Sequence, residues 1–248
     1  MKYKNILIEK YNDYVMHIIL NRKNKYNALN SELTDELIDA LKQCDQSELI
    51  KCVVISGSEN FSAGADINEL ASNPDFIRSW EFIDTVKKPI IAAVSGIAFG
   101  GGNELLLMCD IILASKEAKF AQPEISLGLI CGGGGTQRLP WKIGKSMAME
   151  MCLTGNSITA EEAKDIGLIN HIYDTGELIK NALQLADRIS LNPMDAIIST
   201  KKLIKDTCGN LSDGLITEKN EFMKLLRGAN GIEGMKAFLE RRKPQFKN

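Results

Sequence analysis

Two carboxylates, Glu104 and Glu124, each stand beside a glycine-rich turn, in GIAFGGGNELLLMCD and QPEISLGLICGGGGTQR. Carboxylates accept and return protons, and glycines let backbone N–H groups come close to a ligand. Together they point to proton-transfer chemistry over an anion-stabilising floor. Taken singly, each acid also fits a capping or solvated role, because a carboxylate near a helix start is electrostatically favoured.

Three turn-to-helix junctions carry the candidates. In FSAGADINEL, Gly64 loosens the turn, and Asp66 with Glu69 has the spacing of a capping box opening a short helix. In SGIAFGGGNELLLMCD, Gly100, Gly101 and Gly102 lead into a helix whose first N–H groups suit a developing oxyanion. The apolar neighbours of Glu104 predict partial burial and a raised pKa. In AKFAQPEISLGLICGGGGTQRLP, Pro123 fixes the approach to Glu124, and Gly132 to Gly135 open a further helix. Ordering four consecutive glycines costs roughly 1 kcal/mol each relative to Ala, so close approach of backbone to a ligand or water explains the run better than a plain turn.

Other chemistries have little material. The two histidines, His17 and His171, sit in strand-like segments, which leaves no His-dependent triad and no His-rich metal site. A dinucleotide fingerprint would need Gly where Leu105 stands, and a P-loop would need Gly where Leu139 stands. With 30 basic against 32 acidic residues and a net charge of −2, neither nucleic acid nor an anionic membrane is the expected partner. Six cysteines without a C-x-x-C pair read as free thiols in a reducing, cytoplasmic setting. The 44% apolar content of 248 residues can fill a sizeable core, and no segment reaches the roughly 20 apolar residues of a membrane span.

The elements that must position these residues alternate. Strands are predicted at ILIEK, YVMHIIL, KCVVIS, PIIAAV and DIILAS, with helices from about Ser31, near 75–86 and near 102–109. From about Gly176 the pattern is helical, in ELIKNALQLADRI, PMDAIISTKKLIKD, LITEKNEFMKLLRG and IEGMKAFLERR. The order predicts an α/β fold of stacked ββα-like units followed by a helical module.

The segments FSAGADINEL, GIAFGGGNELLLMCDIILAS, AKFAQPEISLGLICGGGGTQRL and EGMKAFLERRKPQF together resemble the enoyl-CoA hydratase/isomerase, or crotonase, superfamily in order and spacing. The resemblance implies a crotonase-like spiral of ββα units over residues 1–190 and a C-terminal helical trimerisation region over 191–248, assembled as a homotrimer or as a homohexamer built from two trimers. It implies an acyl-CoA thioester substrate and no metal or separate cofactor, coenzyme A being part of the substrate. By the same resemblance, Ala65 and Gly101 supply the oxyanion hole, and Glu104 and Glu124 hold the reacting water of a hydratase. Isomerases of the superfamily often keep only one acid. Lys25, Asp66, Ile67, Asn68 and Gly132 correspond to substrate-binding positions, and Lys243 and Phe246 to residues that close the coenzyme A site of a neighbouring subunit. Two departures stand out: Tyr26 replaces the Arg or Leu of many relatives, and Cys131 replaces a Pro before the glycine run. Phe76, Ile77 and Trp80 are candidate walls for the acyl tail. The alternatives are an isomerase and a non-catalytic acyl-CoA-binding protein.

Overall fold

A computed structural model describes residues 3–73, 76, 79–206, 222, 224 and 228–247. Its frame is a six-stranded sheet ordered β1-β2-β3-β4-β6-β9. Strands β1 (Ile6–Lys10) and β2 (Val15–Leu20) form an antiparallel pair, and β3 (Cys52–Gly57), β4 (Ile90–Val94), β6 (Ile111–Ser115) and β9 (His171–Tyr173) follow in parallel. All residues of β3 and β4 are buried, as in parallel strands covered on both faces. A second sheet pairs β5 (Ile97–Phe99) in parallel with β7 (Lys119–Ala121), and β7 with β8 (Ile158–Thr159) in antiparallel fashion.

Each central strand of the large sheet runs into a position on the small one and then into a helix. Strand β4 leads to β5 and helix α4 (Gly101–Leu107), while β6 leads to β7 and a 3-10 turn at Pro123–Leu127. Strand β3 leads to an isolated bridge, Ser62 to Ala98, and then to α2 (Ile67–Ser72). Successive turns of this spiral therefore stack their strand-to-helix corners, which is how positions tens of residues apart in sequence come to share one cleft.

The amphipathic helix α1 (Ser31–Gln46) buries Leu33, Leu37 and Leu41 against one face of the large sheet. Its N-cap is Asn30, whose side chain accepts from Leu33 N–H at 3.1 Å. The opposite face is covered by α8 (Thr175–Ser190), with Leu178, Ala182 and Ala186 packed on Val54, Ile91 and Leu113. Small alanines let the helix approach the sheet closely. Helix α9 (Met194–Lys205) is pinned to the sheet edge by Lys201, whose Nζ donates to Asp110 at 2.7 Å.

The predicted strands all form. The helix expected near 75–86 is seen as α3 (Glu81–Thr85), and the one near 102–109 as α4. The capping box expected at Asp66 and Glu69 is only half made. Asp66 caps α2 through Asn68 N–H, but Glu69 turns away to accept from the N–H and hydroxyl of Ser31. The N–H of Asp66 is taken by the Leu29 carbonyl at 2.7 Å, so no donor is left for Glu69 to satisfy. Most of LITEKNEFMKLLRG, and Ile77 and Cys208, lie outside the described residues. The terminal helix α10 (Ala229–Leu239) precedes a tail whose Phe246 ring rests beside Gly234. Cys44, Cys52, Cys109, Cys131 and Cys152 are free thiols, and no helix among the described residues is long and apolar enough to cross a membrane. His17 is buried and its Nε2 meets Ser56 Oγ at 2.8 Å, an internal pairing inside the sheet rather than a reactive group.

Candidate active site

Helix α4 begins at a glycine because its entry demands one. Gly100, the N-cap, has φ 51° and ψ −123°, and a Cβ there would press on Glu124 Oε1 at 3.2 Å. A Cβ on Gly101 would lie 2.7 Å from Trp80 Cη2 and 3.2 Å from Ala65 N. The absence of side chains thus brings two backbone amides, Ala65 and Gly101, into one small space. Neither N–H finds an acceptor among the described residues. Buried amides are almost always paired, so two free neighbouring donors form a place for an oxygen that develops charge.

The loop bearing Ala65 is fastened to the segment before α1. Leu29 N–H donates to Gly64, Asp66 N–H to Leu29, and Ala63 N–H to Tyr26, at 2.7 to 2.9 Å. Arg22 Nη1 adds a bond to Asp66 Oδ2 at 2.7 Å, and this guanidinium holds the Asp66 carboxyl below its usual range. Asp66 is therefore engaged in holding the loop. Lys25 is exposed in a short 3-10 turn beside it, followed by Tyr26 in the left-handed region at φ 50°. Ile67 and Asn68 are exposed on α2.

Glu104 sits in the first turn of α4 at 3% exposure. Its Oε1 accepts two backbone N–H groups, from Gly133 and Gly135, each at 2.8 Å. Its Oε2 has no partner among the described residues. Burial raises the Glu104 pKa, opposed in part by the Gly135 and Gly133 amides and raised further by the charge of Glu124. Glu124, half-buried in the 3-10 turn, accepts from Gln122 Nε2 at 3.2 and 3.4 Å. Burial raises its pKa too, against the hydrogen bonds of its own backbone and of Gln122.

One carboxylate oxygen of each glutamate and Cys131 Sγ lie within 4.8 Å of one another. That spacing lets a water hydrogen-bond to both carboxylates at once, since each bond spans about 2.8 Å. Cys131 is buried, with its thiol pushed up to about 12 by burial and then by Glu124, so it is an apolar neighbour rather than a nucleophile.

The structure brings Ala65, Gly101, Glu104 and Glu124 to one place, with Lys25, Asp66, Ile67 and Asn68 along the adjoining loop. Gly132 is exposed and lies one residue before Gly133, the amide that contacts Glu104. Sequence reasoning passed over Gln122 and Asn103, both fully buried, where Asn103 Nδ2 donates to Gln122 Oε1 at 2.5 Å and so orients the amide that holds Glu124. It also passed over Arg22 and Arg138. Phe76 and Trp80 are buried and meet edge to face, centroids 5.9 Å apart, and the Trp80 ring walls the cleft at Gly101 and Gly133. An open cavity of about 890 Å3 lies elsewhere, between α9 and the ends of α4 and α5 (Gly135–Ile143), and neither glutamate lines it.

A spiral of strand and helix that delivers two free amides, a buried carboxylate and a half-buried one to one cleft defines an acid/base enzyme acting on a carbonyl compound. The sequence profile of the enoyl-CoA hydratase/isomerase family matches residues 10–248. The mitochondrial enoyl-CoA hydratase of Pongo abelii is 42% identical over 246 residues, covering 96% of this chain and 85% of that protein. A probable enoyl-CoA hydratase of Rhizobium meliloti (strain 1021) is 41% identical over the full length of both. The crystal structure of enoyl-CoA hydratase from Bacillus anthracis superposes with a TM-score of 0.94 at 34% identity, covering 98% of this chain and 99% of that one. The chain belongs to the enoyl-CoA hydratase/isomerase family.

Proposed function

We propose that the chain is an enoyl-CoA hydratase, a hydro-lyase that adds water across the trans-2 double bond of an enoyl-CoA and removes it from 3-hydroxyacyl-CoA. The observation that carries this reading is the pair of carboxylates, one buried and one half-buried, spaced to share one water beside two unpaired amides.

Water is a weak nucleophile, and attack at Cβ pushes charge onto the thioester oxygen. Ala65 and Gly101 N–H meet that charge without reorganisation, and one such donor is typically worth about 3 kcal/mol. Glu104 takes the part of the base because two amides fix one of its oxygens and leave Oε2 free to accept a proton. Glu124 is held by the Gln122 side chain and one backbone contact, and the two carboxylates titrate as a coupled pair. In hydration Glu104 takes a proton from water while Glu124 delivers one to Cα; in dehydration the roles reverse. The addition is redox-neutral, so an electron carrier has no part in it, and coenzyme A enters with the substrate.

Lys25 serves the phosphates of coenzyme A, with the 63–68 strip along the pantetheine, and Gly132 flanks the acyl side. Residues 191–248 form an oligomerisation module of a homotrimer or homohexamer, in which Lys243 and Phe246 close a neighbour's coenzyme A site. Free thiols fit a cytoplasmic protein. An isomerase moves one proton and needs one acid, so the retained pair favours hydration.

The test is spectrophotometric. A hydratase abolishes the conjugated-thioester absorbance of a trans-2-enoyl-CoA, an isomerase creates that absorbance from a 3-enoyl-CoA, and a binding protein does neither. Isomerase activity alone, or no turnover, overturns the proposal.

A further inference from the structure

The loop that holds Glu104 has almost no means of holding itself. Residues 132–135 are all glycine, and Gly134 has φ 100°, a conformation that fixes little unless something outside the loop restrains it. Yet Gly133 is tied from both sides. Its N–H donates to Glu104 Oε1 at 2.8 Å, and its carbonyl accepts from Arg138 Nη1 at 2.8 Å. The backbone N–H of Arg138 donates to Gly134 at 2.9 Å as the first helical bond of α5, so the side-chain bond to Gly133 extends that hold one carbonyl further into the loop.

The guanidinium is itself braced. Its Nη2 pairs with Asp84 of α3, and Lys205 of α9 reaches Asp84 Oδ1 at 3.5 Å and its carbonyl at 3.0 Å. A cation one turn into α5 stands near the positive end of that helix, where it is unfavourable by local electrostatics. Its placement is therefore better explained by what it grips than by the helix that carries it. A planar fork can serve a carbonyl and a carboxylate together, which an ammonium on a flexible stem cannot.

We infer that Arg138, braced by Asp84, is a positioning residue that clamps the glycine loop onto Glu104 and sets the orientation of the water-activating carboxylate. This rests on the hydratase reading of the site. The charged and titratable groups around Glu104 are Glu124 from the 3-10 turn, Cys131 from the loop, Cys152 from the helix Lys145–Thr154, and Arg138 from α5 with Asp84 and Lys205 behind it; β5 contributes none. Among these Arg138 is a positive charge that works, as the smallest of the named influences, against the burial that lifts the Glu104 proton affinity.

Arg138→Met, Arg138→Ala and Asp84→Asn, with wild type alongside, test the clamp by two readouts. In steady-state hydration the expected change is a fall in kcat on the order of tenfold to 100-fold with KM nearly constant, and added guanidinium ion restores part of the loss in Arg138→Ala. Independently of turnover, 13C NMR titration of the Glu104 carboxyl, assigned with Glu104→Gln, moves to higher pH in Arg138→Met, and the acid limb of kcat moves with it. Asp84→Asn loosens the brace while keeping the cation, so a smaller fall in kcat with KM nearly constant keeps the test open if Arg138 variants fold poorly. A folded Arg138→Met whose Glu104 titrates as in wild type overturns the clamp, whatever its kcat. A wild type that hydrates no enoyl-CoA overturns the hydratase reading instead, while the NMR titration still decides the clamp.

Discussion

Glu104 and Glu124 bring their carboxylates together from supports of opposite kind. Glu104 is carried by a helix, is nearly inaccessible, and has one oxygen fixed by two backbone amides. Glu124 is carried by a 3-10 turn, is half-buried, and leans on a single side-chain amide that Asn103 holds in place. Donors of both kinds favour the charged form, but two backbone amides fix a carboxylate oxygen more firmly than one side-chain amide does. The difference gives two residues of identical chemistry unlike surroundings, which under the proposed hydration suits them to separate roles.

The largest effect comes from removing either acid. Glu104→Gln and Glu124→Gln keep the shape and lose the proton transfer, and hydration of a short enoyl-CoA is expected to fall about 100- to 10,000-fold in each, read from initial rates. Equal losses fit a single device; a mild loss at one site would make that residue a bystander.

A smaller effect probes the weaker support. Gln122→Leu removes the side-chain donor of Glu124, which favours its protonated form. The expected result is a drop in kcat of about tenfold and an alkaline limb displaced to higher pH, visible in a kcat pH profile. The clamp variants of Arg138 move the opposite, acid limb, so the two profiles sharpen the division of roles.

Stability distinguishes the supports as well. Burial raises the folded-state pKa of Glu104 above its unfolded value. Its contribution is therefore fully present below the unfolded value of about 4.3 and is lost as pH rises through the folded one. Glu104→Gln removes that penalty while keeping an oxygen for the Gly133 and Gly135 amides. A rise in Tm of roughly 2–4 °C is expected near neutral pH, fading toward pH 4 or so, with less change for Glu124→Gln. The smallest effect belongs to Cys131→Ser, which keeps an acceptor for Gln122 Nε2 and should leave kcat near wild type.

Local pattern made the strands, α1 and the three glycine junctions legible in the sequence, because apolar period and turn chemistry act over a few residues. Glu104 and Glu124 were visible for the same reason. The failure of Glu69 to close a box on Asp66 was not legible, since its partner Ser31 lies 38 residues away. Asn103 and the Asp84 brace of Arg138 share that cause, with partners 19 and 54 residues away, whereas Gln122 and Arg138 also hold Glu124 and Gly133 through contacts two and five residues apart that depend on side-chain geometry. The glycine run marked the right loop, but which of its amides face Glu104 depends on the backbone angles that turn the loop into α5.

The central claim is that the two carboxylates act as one water-handling unit, and a double-variant cycle measures it most directly. With wild type, E104Q, E124Q and E104Q/E124Q assayed for hydration of one trans-2-enoyl-CoA, the double variant should fall to within about threefold of the weaker single variant. Losses that multiply, or near-wild-type turnover in either single variant, would contradict it.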